Sequence, residues 1–146
     1  ELIDLTLEAK DFEDAIRKIG EDAFSKGYVK KGFADAVIKR EKLYPTALPT
    51  EVLKVAIPHP MERDTVEKSA IIVSRLKHPV NFTLMGSDNE TVPVNIIFTL
   101  AVNGAEHQLT ILQKLVGMFS EKESMERIKA STTPKEIMKT LIELLS

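Results

Sequence analysis

Val92-Pro93-Val94-Asn95-Ile96-Ile97-Phe98-Thr99-Leu100-Ala101-Val102 is the most strongly apolar stretch of the chain. It is too short to cross a bilayer as a helix. It reads instead as a long strand, in which Pro93 is tolerated only because it lies near the start. Working back from it, Gly86-Ser87-Asp88-Asn89 is a turn signal. Val80, Phe82 and Leu84 alternate with polar residues, as in a half-buried strand. Ala70-Ile71-Ile72-Val73 is a continuous apolar run suited to a strand covered on both faces. Between these two strands, Lys77-His78-Pro79 reads as an exposed turn. Lys54 to Ile57 is a shorter apolar run and a further strand.

Helical periodicity brackets this strand-rich middle. Phe12, Ala15, Ile16, Ile19, Ala23 and Phe24 predict an amphipathic helix over Asp11 to Lys26, with Asp11 as N-cap and Gly27 as its stop. A second helix runs from about Gly32 to Leu43, with Phe33, Ala36, Val37 and Arg40 on one face, and Tyr44-Pro45 ends it. Beyond the strands, Leu109, Leu112, Leu115, Val116 and Phe119 predict a helix over Glu106 to Ser120. A short helix follows near Ser124 to Ala130. The last runs from Thr133 or Pro134 to Leu145, with Ile137, Met138, Leu141 and Leu145 at helical spacing. The expected fold is therefore α/β: one domain over residues 1–146, with a mixed sheet of about five strands flanked by helices on both faces.

Composition removes several function classes. The net charge is -2 and Trp is absent, so no basic, aromatic-rich surface for nucleic acid is present. Cysteine is absent, which excludes disulfides, thiolate catalysis and a Cys zinc site and fits a cytoplasmic location. Glu1, Asp4 and Glu8 at the start lack the basic character of a secretory leader. No G-x-G-x-x-G or Walker pattern occurs, which argues against a nucleotide-dependent kinase.

The reactive candidates reduce to three histidines. His59 follows the apolar run Val55-Ala56-Ile57 and sits between Pro58 and Pro60. Proline has a fixed φ and no N–H, and it biases the preceding residue towards extended geometry. The imidazole is thus displayed on a stiff backbone just past a strand, where open α/β sheets place ligands. From the residues alone it is either a nucleophile of near-neutral pKa or an exposed turn histidine, with a metal site formed with His107 and Glu106 or Glu62 as a lesser reading. His107 lies at the head of a predicted helix, where free N–H groups favour anions. Read alone it is more simply a first-turn surface residue. His78 carries no assigned function. Arg40, half-covered by the stripe of its helix, requires an anionic partner, which is either a carboxylate or a phosphoryl group.

Taken together, Arg40-Glu41, Pro45-Thr46-Ala47-Leu48-Pro49 and Val55-Ala56-Ile57-Pro58-His59 resemble a known signature. It belongs to the fructose–mannitol class of EIIA components of the bacterial sugar phosphotransferase system. There an Arg-Glu pair and a Ser/Thr-Gly pair precede an apolar-Ala-apolar-Pro-His ending on the phosphorylated histidine. Gly104-Ala105-Glu106-His107, followed by Leu109, Leu112 and Leu115, is similar to the family's second histidine at the head of a Leu-rich helix. The Arg40-to-His59 spacing is a few residues longer than in common members, and Ala47 and Pro49 stand where glycine is usual. Both features are similar to the galactitol branch.

The resemblance implies a phosphocarrier that accepts phosphate from phospho-HPr on His59, through Nε2, and passes it to a cysteine of EIIB for sugar uptake. The membrane enters only through the EIIC permease. Arg40 and His107 would stabilise the phosphoryl group, with Glu41, Thr46 and Pro58 in support, and with no metal or nucleotide cofactor. An apolar rim including Leu48, Val52 and Met61 would meet both partner proteins in turn. The alternative is a regulatory domain of the same fold, whose His59 phosphorylation controls a protein partner without transfer to sugar.

Overall fold

The apolar stretch at residues 92–102 becomes an inner strand of a sheet with helices against both faces. The computed structural model describes residues 2–145, the side chain of Leu145 excepted, so that this residue of the last predicted apolar stripe lies outside the description. The elements are β1 (Ile3–Leu7), α1 (Phe12–Ser25), α2 (Phe33–Leu43), β2 (Val55–Ala56), β3 (Ala70–Thr83), β4 (Thr91–Ala101), α3 (Ala105–Phe119), α4 (Lys122–Ala130) and α5 (Pro134–Leu145). Among the described residues no helix is long and apolar enough to cross a membrane.

The sheet has four strands in the order β1-β3-β4-β2, rather than about five. The merging of two expected strands into one lowers the count. The runs at 70–73 and 80–84 are one strand, because both halves of β3 pair antiparallel with β4, Ile72 with Thr99 and Phe82 with Val92. Lys77-His78-Pro79 is not a turn between strands. It is an exposed irregularity inside β3, where the register shifts between Arg75 and Val80. The N-terminal strand β1, in contrast, has no counterpart in the sequence reading. It pairs parallel with β3, and β2 pairs parallel with β4, so the sheet is mixed as expected.

Different helices cover the two faces of β4, and the facing switches parity between Val94 and Ile96. Val92, Val94, Ile97 and Ala101 pack with Ala15, Ile16 and Ile19 of α1 and Phe33 and Val37 of α2. Ile96, Phe98 and Leu100 pack with Leu115 and Phe119 of α3, Met125 and Ile128 of α4 and Ile137 of α5. Asp11 caps α1 by accepting the Asp14 N–H at 2.8 Å, and Gly27, with φ of 82°, ends it in the left-handed region. α3 carries more apolar residues than its core-facing side needs. Leu115 and Phe119 are buried, whereas Leu109 and Val116 are 58% and 47% exposed.

β2 is short, yet both its ends are held to β4. The Lys54 N–H donates to Asn95 Oδ1 at 2.8 Å. The Asn95 and Ile96 N–H groups donate to the Lys54 carbonyl at 2.8 and 3.2 Å. Past β2, the Leu100 N–H donates to the Pro58 carbonyl at 3.0 Å. Pro58 cannot donate in return, so the ladder stops one residue before His59. Asn95→Ala would leave the Lys54 N–H without its acceptor in a half-buried site. Urea unfolding of that variant should show a loss of about 1–3 kcal/mol.

Candidate functional site

His59 sits where the ladder stops and lines a cleft of about 420 Å³. Three segments build the walls. The C-terminal end of α2 and the loop after it supply Arg40, Leu43, Tyr44, Pro45 and Thr46. The β3–β4 hairpin supplies Met85, Gly86, Ser87 and Asp88, and α3 supplies Leu112. Gly86 has a φ of 80°, which lets the hairpin turn, and the Met85 N–H donates to the Ala47 carbonyl at 2.9 Å. That bond ties the hairpin wall to the loop wall.

The His59 residue is only 5% exposed, and its Nδ1 lies 2.7 Å from the Ile57 carbonyl. A carbonyl only accepts, so Nδ1 carries the proton. In the neutral ring Nε2 is then the nitrogen with the free lone pair. The ring is held neutral. Burial, the adjacent positive charge of Arg40 and, opposing them, the bond to Ile57 together push the His59 pKa down to about 4.

Arg40 is half-buried. Its Nη1 donates to the Tyr44 carbonyl at 3.1 Å, and its guanidinium lies 5.5 Å from the centre of the Tyr44 ring. Burial lowers its pKa, with Glu41 and Tyr44 opposing, but a guanidinium stays charged at any ordinary pH. Among the described residues it makes no ion pair; the neighbouring Glu41 carboxylate acts on it electrostatically but has both its oxygens bonded to Thr46.

Glu41 points the other way and is 4% exposed. Both its oxygens are used by Thr46. Oε2 accepts the Thr46 N–H and Oε1 accepts the Thr46 hydroxyl, each at 2.9 Å. The same hydroxyl oxygen accepts the Ile57 N–H at 3.0 Å. Burial raises the Glu41 pKa and the two Thr46 bonds oppose the rise. A continuous set of hydrogen bonds therefore runs from Glu41 through Thr46 to Ile57, and from Ile57 to His59.

The structure brings together His59, Arg40, Thr46 and Ile57 in one cleft and Glu41 directly behind it. His107 is exposed on the first turn of α3 and is not among the cleft's lining residues; the same helix reaches the cleft through Leu112. Of the expected rim, Met61 is exposed beside a smaller cleft on another side of Arg40, and Leu48 and Val52 pack against the core. Leu43, Tyr44, Met85 and the hairpin turn escaped the sequence reading. Only the turn signal at Gly86 hinted at them, and nothing in it says the hairpin folds back over α2. Among the described residues, no group of three or more His, Cys, Asp or Glu side chains stands ready to hold a metal ion.

The mixed sheet, with helices on both faces, thus ends one of its strands at a buried imidazole beside a guanidinium that makes no ion pair among the described residues. The chain belongs to the EIIA 2 family of the phosphoenolpyruvate-dependent sugar phosphotransferase system, whose family model matches residues 1–144. The mannitol-specific phosphotransferase enzyme IIA component of Halalkalibacterium halodurans is 31% identical over 146 residues, covering 99% of this chain and 93% of that protein. The galactitol-specific EIIA component of Escherichia coli K12 is 30% identical over 118 residues, covering 81% of this chain and 77% of that protein. Among solved structures, the complex of enzyme IIA for mannitol with phosphorylated enzyme IIB from Escherichia coli matches with a TM-score of 0.77 at 25% identity. That match covers 97% of this chain and 94% of the other.

The depressed pKa makes a signed prediction. As pH falls from 6.5 towards 4, the unfolded chain takes up a proton at residue 59 before the folded chain does. Stability from the neutral ring is complete above that window and is lost within it. The raised pKa of Glu41 acts in the opposite sense, so the comparison is wild type against His59→Gln. Their stability difference should shrink by up to about 3 kcal/mol across the window. Imidazole ¹⁵N shifts should place the His59 midpoint at about 4, and Arg40→Gln should move it up.

Proposed function

We propose that this chain is a cytoplasmic phosphocarrier, acting as one unit over residues 1–146, which accepts a phosphoryl group on His59 Nε2 from phospho-HPr. It then passes the group to a cysteine of EIIB. The observation that carries the reading is the bond from His59 Nδ1 to the Ile57 carbonyl, which leaves Nε2 as the nucleophile in a cleft with Arg40. In the step, Nε2 attacks phosphorus and the P–N bond of the donor's phosphohistidine breaks. The bonding pair returns to the donor's ring, which keeps or takes a proton.

Phosphoryl transfer asks little covalent help of the protein beyond position and charge. Arg40 supplies a planar pair of donors for the equatorial oxygens. His107 stays outside the lining of this cleft, so Arg40 is the charged side chain that the geometry supports for stabilising the phosphoryl group. The exposed apolar residues Leu43, Tyr44, Met85, Leu109 and Val116 support docking of both partners on this one face. Relatives specific for mannitol and galactitol, at 31% and 30% identity, support a hexitol as the sugar served.

Incubation with phosphoenolpyruvate, Enzyme I and HPr should place an acid-labile phosphate on His59 and leave His59→Ala unlabelled. Label on that variant would end the proposal. Arg40→Gln should slow labelling by roughly 100-fold. A chase with EIIB separates the two roles: loss of label to EIIB supports transport, and retention supports the regulatory alternative.

A further inference from the structure

The loop 44–49 runs back along β2 as a short antiparallel pair. Leu48 and Val55 exchange both backbone bonds, Leu48 N–H to Val55 O at 2.8 Å and Val55 N–H to Leu48 O at 3.1 Å. In an antiparallel ladder the next such exchange falls two residues further along each strand. Here that places Thr46 opposite Ile57. At this position neither expected bond is made. The Thr46 N–H goes to Glu41 Oε2, the Ile57 N–H goes to the Thr46 hydroxyl, and the Ile57 carbonyl takes the His59 Nδ1–H instead.

We infer that Glu41 and Thr46 are positioning residues that divert the ladder so that the Ile57 carbonyl is left for His59. The inference rests on the proposed role of His59 and adds the device that fixes its tautomer. The chemistry of the three groups supports it. Thr46 has one hydroxyl proton, and its oxygen already accepts from Ile57, so that proton needs an acceptor. Only a carboxylate satisfies both it and the Thr46 N–H with acceptors alone. The burial of Glu41 and Thr46, 4% and 3% exposed, keeps water from taking over either task.

The polar groups of both side chains are committed, Glu41 to Thr46 and the Thr46 hydroxyl to Glu41 and Ile57, so they act through the Ile57 backbone. A role confined to anchoring the loop would change stability and leave the imidazole untouched. A positioning role changes the imidazole.

The test compares wild type with Thr46→Val, Thr46→Ser and Glu41→Gln. Imidazole ¹⁵N spectra report the tautomer, and phospho-HPr titrations separate kcat from KM. In Thr46→Val the Ile57 N–H loses its acceptor and the ladder can close. The Nε2–H tautomer should then become detectable and kcat should fall roughly tenfold, with KM for phospho-HPr within about twofold of wild type. Thr46→Ser should restore both readouts. Glu41→Gln should move both in the same direction as Thr46→Val.

A folded Thr46→Val protein with an unchanged imidazole spectrum and unchanged kcat would overturn the inference. Should the variants unfold, wild type alone decides by scalar couplings across hydrogen bonds. Coupling from His59 Nδ1 to the Ile57 carbonyl carbon supports the diversion, and coupling from the Thr46 N–H to that carbon overturns it. A wild-type protein unlabelled at His59 would instead sink the phosphocarrier reading, so the two failures are distinct.

Discussion

The bond from the His59 Nδ1–H to the Ile57 carbonyl, 2.7 Å long, is the constraint on which the site depends. It sets the ring's rotation and its tautomer, and through these which nitrogen meets the cleft. A carbonyl two residues back in the chain can do this only if its own peptide is immobile and it is not already committed to a ladder. Thr46 meets the second condition, since its N–H goes to Glu41 and not to the Ile57 carbonyl. The Leu100 N–H on the Pro58 carbonyl and Asn95 on Lys54 contribute to the first. The rigid β4 core thus reaches the imidazole through a few backbone contacts rather than through side-chain packing.

Arg40 gives the site its electrostatic sense. Its charge disfavours an imidazolium at position 59 and would favour a tetrahedral anion beside the same ring. The empty cleft is therefore suited to a nucleophile and the loaded cleft, on the phosphocarrier reading, to a dianion, with no rearrangement of the sheet. The hold on Arg40 is light. One bond to the Tyr44 carbonyl and contact with a largely exposed ring keep it near the cleft while leaving its other donors without protein partners among the described residues. A carrier gains from this restraint, because a deeper anion trap would stabilise the loaded state against release.

The sequence exposed these features unevenly, for physical reasons. Helix boundaries were legible because periodicity, the Asp11 cap and Gly27 all act locally. His59 was legible because two prolines and an apolar run are local too. The sheet was less so. Lys77-His78-Pro79 has the composition of a turn, and only pairing of both flanks with β4 makes it an irregularity within one strand. β1 escaped because five residues of alternating burial give a weak signal beside charged neighbours; its stability comes from β3, far along the chain. Glu41 and Thr46 entered the reading through a family likeness. Their chemistry depends on a register between 46 and 57, which no local pattern encodes.

The surplus of apolar residues on α3 follows from the same division between folding and function. Leu115, Met118 and Phe119 seat the helix on the sheet, with Ile111 and Leu112 packed beside them. Leu109, Leu112 and Val116 form a second row, of which Leu112 enters the cleft and the other two remain open to solvent. Leu109 and Val116 are outside the core cluster, and solubility alone would favour polar residues there. On the phosphocarrier reading, a surface that meets two proteins in succession has different needs. Each contact has to exclude water from one nitrogen atom briefly, and each must then come apart, which suits a small apolar rim without buried ion pairs better than a large interlocked interface. On the phosphocarrier reading, a single nucleophilic nitrogen in this cleft means that donor and acceptor compete for the same rim and bind one at a time, their order set by which of them carries the phosphoryl group.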